Sequence, residues 1–358
     1  MNDLSRGISR DREALNAAFE RVLDTGHVVM GPQHSAFQDA LASYLGIEFV
    51  LGVASGTDAL EISIKAVMPA GRHTVVTAAN AGGYTSVAAR RAGFQLRYAD
   101  VDSESLCLSL DTLMPSLTDD VGVVVVTHLY GNLTDISDLV EYCHARGIRV
   151  VEDCAQAIGA TLNGKAAGSF GDIAATSFYP TKNLGAIGDG GAIFTANDEV
   201  AARVAQLRQY GWSAKYHVSI PGGTNSRLDE LQAAFLLARL PLLDGFNARR
   251  RDIIQRYLAA SEYGPLRILP ATGAHHVGHL AVALTLDRDD VRAALAARGV
   301  QTDIHFPVPD YAQPGFESEL ESLPTTDRVS AEIFSLPCFP ELTDHEVQQV
   351  CDAIESLR

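Results

Sequence analysis

The chain has 358 residues, of which 47% are hydrophobic, and its formal net charge is −16. This length suits one large and one small domain, and the hydrophobic content excludes a disordered chain. The acidic balance argues against nucleic-acid binding, because contacts to phosphate need clustered Lys and Arg. No stretch of about 18 apolar residues is present, so we expect no membrane-spanning helix.

The amino-terminal segment and the cysteines indicate a protein of the reducing cytoplasm. Residues 1–26 contain no apolar core of signal-peptide length. The five cysteines are scattered, odd in number and free of C-x-x-C spacing. This distribution is typical of buried thiols rather than of a disulfide framework or a zinc site.

Residues 51–195 alternate between short β-branched runs and stretches of helical spacing. The clearest predicted strands are Thr74–Ala78, Val121–Thr127, Arg149–Glu152 and Ile173–Phe178. A crossover helix is predicted over Leu133–Arg146, with Gly147 closing it. Strands and helices in this alternation predict a parallel sheet with right-handed crossovers in an α/β/α arrangement.

The pattern changes after Gly222. A capping box at Ser226–Asp229 and a helix over Leu228–Leu240 are predicted, followed by a smaller α+β region. We therefore divide the chain into a large domain, residues 1–240, and a small domain, residues 241–358. An amino-terminal helix around Arg12–Leu23 can pack on either domain. Further predicted helices are Arg249–Leu258, Asp289–Arg298 and Asp344–Leu357.

Only four lysines are present, and Lys182 differs from the others. Lys65 lies on a predicted helix face, Lys165 in an Asn-Gly hairpin turn and Lys215 in a polar loop. Lys182 follows a predicted strand and precedes a glycine-rich segment, in the position where α/β proteins place ligands. A desolvated lysine there has a lowered pKa and acts as an amine nucleophile. On spacing alone, a surface lysine beside a flexible loop is an equally good interpretation.

Two other segments carry possible ligand contacts. Asp153 ends a predicted strand, where a carboxylate can hold a cationic ring nitrogen or simply cap a helix. Ser55-Gly56-Thr57 precedes a predicted helix over Thr57–Met68. Its free N–H groups can bind a phosphate, although plain helix capping is the commoner role.

The histidines His275, His276 and His279 form a cluster near a predicted strand. No Cys or Glu accompanies them as a further ligand. We therefore expect surface histidines and no metal site.

Eight ordered segments resemble the DegT/StrS family of nucleotide-sugar aminotransferases. These are pyridoxal-phosphate (PLP) enzymes of the aspartate-aminotransferase fold type. The resemblance runs from about Gly31 to the C-terminus. It implies a large α/β/α domain with a mainly parallel sheet and a smaller α+β C-terminal domain. The segments are Ala54–Leu60, Thr127–Asn132, Val151–Ala160, Ser169–Asp172, Ser177–Thr195, Asn225–Ala234, Ile304–Pro309 and Ser335–Thr343.

The resemblance assigns roles to individual residues. Lys182 is expected to hold PLP as a Schiff base and to move the proton, and Asp153 to pair with the pyridinium nitrogen. Asn225 is expected to reach the neighbouring chain's phosphate, which implies a homodimer with shared active sites. The other implied contacts are Gln156 to the phenolic oxygen, Tyr84 on the ring, and Gly56, Thr57 and Ser177 at the phosphate.

The implied reaction is ping-pong transfer of an amino group from L-glutamate to a nucleotide-linked keto-deoxysugar. An arginine is the usual ligand for a carboxylate or diphosphate, and Arg227 is the candidate. His305 and Tyr311 are expected near the sugar. The segment that contains them resembles enzymes that aminate C3, so C3 is favoured over C4. Phe306 and Tyr311 depart from the family pattern, which has Tyr and His there.

Two alternatives stay open. One is a PLP-dependent dehydratase or lyase acting on a keto sugar. One dehydratase branch carries a histidine at the lysine position, whereas this chain keeps Lys182. The other is a non-enzymatic PLP-binding regulator, which predicts an appended DNA-binding domain or a damaged site, and the sequence indicates neither.

Overall fold

The computed structural model describes residues 2–316 and 322–358. The described α-helices are α1 (Leu4–Thr25), α2 (Pro32–Leu45), α3 (Gly56–Val67), α4 (Tyr84–Arg91), α5 (Leu110–Leu113), α6 (Ser137–His144), α7 (Asp198–Leu207), α8 (Glu230–Arg239), α9 (Leu243–Ala260), α10 (Arg288–Ala297), α11 (Pro324–Glu332) and α12 (Asp344–Glu355).

The β-strands form one large sheet, one small sheet and two short hairpins. The large sheet has the order β1-β9-β8-β5-β4-β2-β3, and only β9 runs antiparallel to its neighbours. The strands are β1 (Phe49–Val53), β2 (Thr74–Ala78), β3 (Gln95–Ala99), β4 (Val121–Thr127), β5 (Arg149–Asp153), β6 (Thr161–Leu162), β7 (Lys165–Ala166), β8 (Ile173–Ser177), β9 (Gly191–Thr195), β10 (Trp212–Ala214), β11 (His217–Val218), β12 (Arg267–Ile268), β13 (Ala281–Leu284) and β14 (Ile333–Leu336).

The central strands agree with the sequence prediction because they are buried on both faces. β4 is buried at every position, which explains its almost unbroken valine run. The crossover helix is shorter than predicted, since α6 begins at Ser137. The backbone N–H of Leu133 instead donates to the carbonyl of His275 at 2.8 Å, which takes the preceding residues out of the helix.

The start of α8 also differs from the prediction. The Asp229 side chain caps the helix by accepting from the N–H of Gln232 at 2.8 Å. Ser226 does not cap it. Its hydroxyl accepts from the N–H of Ala54 and donates to Asp58, so it ties this segment to the start of α3.

The C-terminal region has its own apolar core, in which α9 and α12 pack together beside the antiparallel sheet β12-β13-β14. The helix α1 contacts both parts of the chain. It packs on α8, while Arg6 and Arg10 form ion pairs with Glu346 and Glu341. The domain division at residue 240 stays a prediction. Within residues 2–316 and 322–358, no helix has the length and apolarity needed to cross a bilayer.

Candidate active site

A cavity of about 520 Å³ lies where the carboxyl ends of the parallel strands meet the C-terminal region. Ligands of α/β proteins bind at this edge of the sheet. Eight of the eleven predicted contact residues line this one cavity, although the first and last of them, Gly56 and His305, lie 249 positions apart in the chain. They are Gly56, Thr57, Tyr84, Asp153, Gln156, Ser177, Lys182 and His305.

Lys182 lies in a loop that is closed at its base. The N–H of Phe178 donates to the carbonyl of Gly190, and the N–H of Ala186 donates to the carbonyl of Phe178, both at 2.8 Å. Gly185 is required inside the loop, because a Cβ there would lie 2.4 Å from the carbonyl oxygen of Pro180. The lysine therefore projects from a fixed loop rather than from the flexible segment that the glycines also allowed.

Lys182 and Asp153 carry opposite charges in the cavity wall. Burial raises the pKa of the Asp153 carboxyl, and burial lowers the pKa of the Lys182 amine. The charge of each residue partly offsets the pKa shift that burial causes in the other. The carboxylate is oriented by the N–H of Ala155, which donates to Oδ1 at 3.0 Å. A buried, oriented carboxylate and an amine of lowered pKa in one cavity are suited to holding a cation and transferring a proton.

The helix α3 presents its amino terminus to the cavity. The Ser55 side chain caps it by accepting from the N–H of Asp58 at 3.1 Å. Gly56 packs directly against Ser177, since a Cβ on Gly56 would lie 2.6 Å from the Cβ of Ser177. The absence of this Cβ lets the first turn of α3 meet the end of β8. Backbone N–H groups and hydroxyls converge there, as a phosphate requires.

Gln156 and Tyr84 stand on other parts of the cavity wall. The side-chain oxygen of Gln156 accepts from the N–H of Tyr130 at 2.7 Å, which leaves its NH₂ group as the donor. Tyr84 is 51% exposed and meets Phe306 edge-on, with ring centroids 6.2 Å apart. It opens helix α4, which Asp310 anchors by accepting from the Ser86 hydroxyl at 2.5 Å.

The histidines correct one expectation from the sequence. His276 and His279 are buried rather than on the surface. His279 lines the cavity, and its Nδ1 lies 2.8 Å from the side-chain oxygen of Asn183, the residue after Lys182. Burial lowers the pKa of His279 well below its usual value, and the neighbouring Lys182 charge adds to this. His279 is therefore a neutral hydrogen-bonding group in the cavity.

His305 also lines the cavity, and its Nδ1 lies 3.0 Å from the Ser335 hydroxyl, within hydrogen-bond distance. Burial lowers its pKa. Three other predicted contacts are not brought to the cavity. Tyr311 is buried against Tyr98, and its hydroxyl donates to Asp327. Asn225 and Arg227 lie outside the cavity of their own chain.

The sequence interpretation missed Arg250 and two aspartates, Asp189 and Asp303, which also line the cavity. Arg250 belongs to a run of three arginines on a predicted helix, and the run gives no sign of which one faces inward. Asp189 lies within the glycine-rich segment after Lys182, and this nearness in sequence could have predicted that it lines the same cavity.

The residues present fit PLP. The amino terminus of α3 suits a phosphate, because Gly56 lets it pack against Ser177 in the cavity wall, and the buried Asp153 carboxylate supplies a charge for a pyridinium nitrogen. The Lys182 amine lies in the same cavity and can bind the cofactor covalently.

Comparison with known proteins agrees with this geometry. The dTDP-3-amino-3,4,6-trideoxy-alpha-D-glucose transaminase of Micromonospora megalomicea subsp. nigra is 35% identical over 97% of this chain and 96% of its own. The structure of S. venezuelae DesV in complex with a ketimine intermediate matches with a TM-score of 0.94 and 34% identity, over 99% and 96% of the two chains. NtdA from Bacillus subtilis with bound cofactor PMP matches with a TM-score of 0.92 and 28% identity, over 99% and 84%.

The family comparison covers nearly the whole chain. Residues 9–355 match the DegT/DnrJ/EryC1/StrS aminotransferase family. Together with the fold of its structural neighbours, this establishes the aspartate-aminotransferase-type α/β fold and PLP as the cofactor. The chain belongs to the DegT/DnrJ/EryC1/StrS aminotransferase family.

Proposed function

We propose that this enzyme transfers an amino group from L-glutamate to C3 of a nucleotide-linked keto-deoxysugar in the cytoplasm. The observation that carries the proposal is the meeting of Lys182 and Asp153 in one cavity, with a helix terminus beside them. Bound PLP would supply an electron sink for the carbanion that forms when the amino donor loses its α-proton. The relatives' function and the five buried, free cysteines support the enzyme class and the location.

Each side chain has a separate task in this reaction. The Asp153 carboxylate would hold the ring nitrogen in its protonated form, and the NH₂ group of Gln156 would donate to the phenolic oxygen. The Lys182 amine would take up the proton that leaves the donor's α-carbon. Its lowered pKa suits this task, because a base must be partly unprotonated near neutral pH.

The preference for C3 rests on two observations. The relative from Micromonospora carries a 3-amino sugar in its name. In this chain His305 lines the cavity and is held by Ser335, so its ring is oriented to contact a bound sugar. Tyr311 does not contact the sugar in this proposal, because its hydroxyl is already bonded to Asp327 and it lies outside the cavity.

The same proposal includes a homodimer with shared active sites. Asn225 is exposed and lies outside the cavity of its own chain. Its neighbour Ser226 fixes the backbone against Ala54 and Asp58 at the start of α3. A polar side chain on a fixed, exposed backbone is placed to serve a second chain across a twofold axis.

The first experiment is an absorbance spectrum of the protein reconstituted with PLP, before and after addition of L-glutamate. We expect a visible band that glutamate removes, with release of one 2-oxoglutarate per site, and no such band in Lys182→Ala. Keto sugars of different nucleotides would then restore the band, and the product's amino position would be read by NMR. A wild-type protein without the visible band would overturn the proposal.

The two alternatives give different results in the same experiment. A lyase would consume the keto sugar without stoichiometric 2-oxoglutarate. A regulator would bind PLP but would convert neither L-glutamate nor the keto sugar. The cofactor contacts that meet in the cavity favour an enzyme over a regulator, and the retained Lys182 favours transfer over the dehydratase branch that carries a histidine there.

A further inference from the structure

Arg250 places a buried cation in the wall of the cavity. It lies on α9 and is 3% exposed. Its Nη1 donates to the carbonyl of Cys338 at 2.8 Å and to the carbonyl of His279 at 3.1 Å. These two bonds hold the guanidinium between His279 and Cys338. Both residues also line the cavity.

The charge of Arg250 has no carboxylate partner within residues 2–316 and 322–358. Both of its acceptors are neutral carbonyls, and its Nε is buried without a hydrogen bond. The carboxylate that most influences it, Glu341, is already paired with Arg10 at 2.6 Å. A buried guanidinium without an anion is costly, so the position is suited to an anionic ligand.

Other charged groups of the cavity do not satisfy this cation. Asp189 and Asp303 are exposed, whereas Arg250 is buried. Asp153 is expected to pair with the cofactor ring. The Nη2 group of Arg250 has no partner in the described part of the chain, and it remains free to donate.

We propose that Arg250 binds the carboxylate on the reacting carbon of the amino-acid donor. The inference rests on the proposed function and names the binding group for its donor. Every amino acid carries that carboxylate one bond from the atom whose proton Lys182 moves, and Arg250 lines the same cavity as Lys182. The guanidinium fork suits a carboxylate, and it replaces Arg227 as the candidate within one chain.

The test uses the PLP-loaded enzyme and its two half-reactions. In Arg250→Gln, the apparent dissociation constants of L-glutamate and L-alanine should both rise about 10- to 100-fold, as expected for the loss of one charge-assisted pair. The second half-reaction, from the pyridoxamine-phosphate form and a keto-sugar nucleotide, should keep its wild-type rate. Arg250→Lys should give a smaller rise.

A binding measurement separates this inference from the proposed function. The unreactive probe α-methyl-L-glutamate lacks the α-proton, so its effect on the cofactor spectrum reports binding without turnover. Its dissociation constant should rise in both Arg250 variants even if the enzyme's natural donor is not glutamate. The control is Arg251→Gln, since Arg251 lies next on α9, donates to the carbonyl of His276 at 3.4 Å and does not line the cavity.

Three results would overturn the inference. One is a wild-type dissociation constant for the probe in folded Arg250 variants, with folding checked by thermal unfolding. Another is a loss confined to L-glutamate and absent for L-alanine, which would assign Arg250 to the side-chain carboxylate. The third is a loss confined to the keto-sugar half-reaction, which would assign it to the diphosphate.

Discussion

Glu152 and Asp153 are consecutive residues at the end of β5, both buried, and their pKa values move in opposite directions. Burial raises the pKa of Glu152, but hydrogen bonds from His128 and from the backbone of Gly171 and Gly168 outweigh it, and the net pKa is lowered. Asp153 has fewer donors, so burial dominates and its pKa is raised. Because neighbouring side chains on a strand point to opposite faces, one carboxylate is structural and the other faces the cavity.

Glu152→Gln should destabilise the protein by roughly 1–3 kcal/mol. The carboxylate accepts from the N–H groups of Phe170, Gly171 and Gly168, and an amide NH₂ group would leave one buried donor unpaired. A lowered folded-state pKa gives stability that is present above the unfolded pKa and lost as the pH falls through the folded pKa. Chemical denaturation should therefore show a difference from wild type that shrinks in acid. An equal difference at every pH would contradict this.

Asp153→Asn should reduce transamination by roughly 100-fold or more, since it removes the negative charge that stabilises the protonated ring nitrogen. The cofactor-free protein should respond in the opposite sense. A raised folded-state pKa means that the ionised carboxylate destabilises the folded state above that pKa, and the amide removes this effect. Thermal unfolding without PLP should find the variant at least as stable as wild type at pH 8. A large loss of stability there would show that Asp153 has a structural role.

Gly56→Ala should weaken PLP binding and lower stability by about 1–3 kcal/mol, because the new Cβ meets Ser177 at 2.6 Å. Titration of the variant with PLP, followed by the visible band, measures the first effect. The matched control is Gly245→Ala on α9, where no atom lies within 4 Å of the added Cβ. The control should bind PLP normally and gain about 0.5–1 kcal/mol of stability. Equal PLP affinity in the two variants would contradict the role of Gly56.

Asp310 should make the protein more stable at pH 5 than at pH 8. Burial raises its pKa to about 6, so the ionised form destabilises the folded state above that pH. The effect is present only above the unfolded pKa of 3.8, and it approaches roughly 3 kcal/mol at high pH, at about 1.4 kcal/mol per pH unit between the two pKa values. Asp310→Asn should flatten the stability profile from pH 5 to pH 8. An unchanged profile would contradict the assignment.

The parallel sheet could be predicted from the sequence, and so could eight of the residues that line the cavity. β-branched runs report burial directly, and the segments around Lys182 and Asp153 combine a strand end with a distinctive local pattern. The family resemblance, rather than spacing, decided between the alternatives for both residues. Gly56 and Ser177 then follow from their places at the ends of neighbouring elements.

The remaining differences arise from contacts between distant segments. Leu133 leaves its predicted helix because its N–H bonds to His275, a partner 142 residues away that no local pattern reveals. Arg250 is one of three consecutive arginines, and only its packing against His279 and Cys338 distinguishes it. Tyr311 lies in a local motif, but its ring packs against the distant Tyr98. Its hydroxyl donates to Asp327 and so does not reach the cavity.

The closed loop around Lys182 determines when the cost of ordering the lysine arises. Its base is fixed by the pairing of Phe178 with Gly190 and Ala186, and Arg239 adds a bond to the carbonyl of Gly185 at 2.7 Å. The backbone entropy of the loop is thus lost when the chain folds and not when a substrate binds. Cofactor capture and each later turnover then start from a lysine whose backbone is already in position, and only its side-chain torsions remain to be ordered.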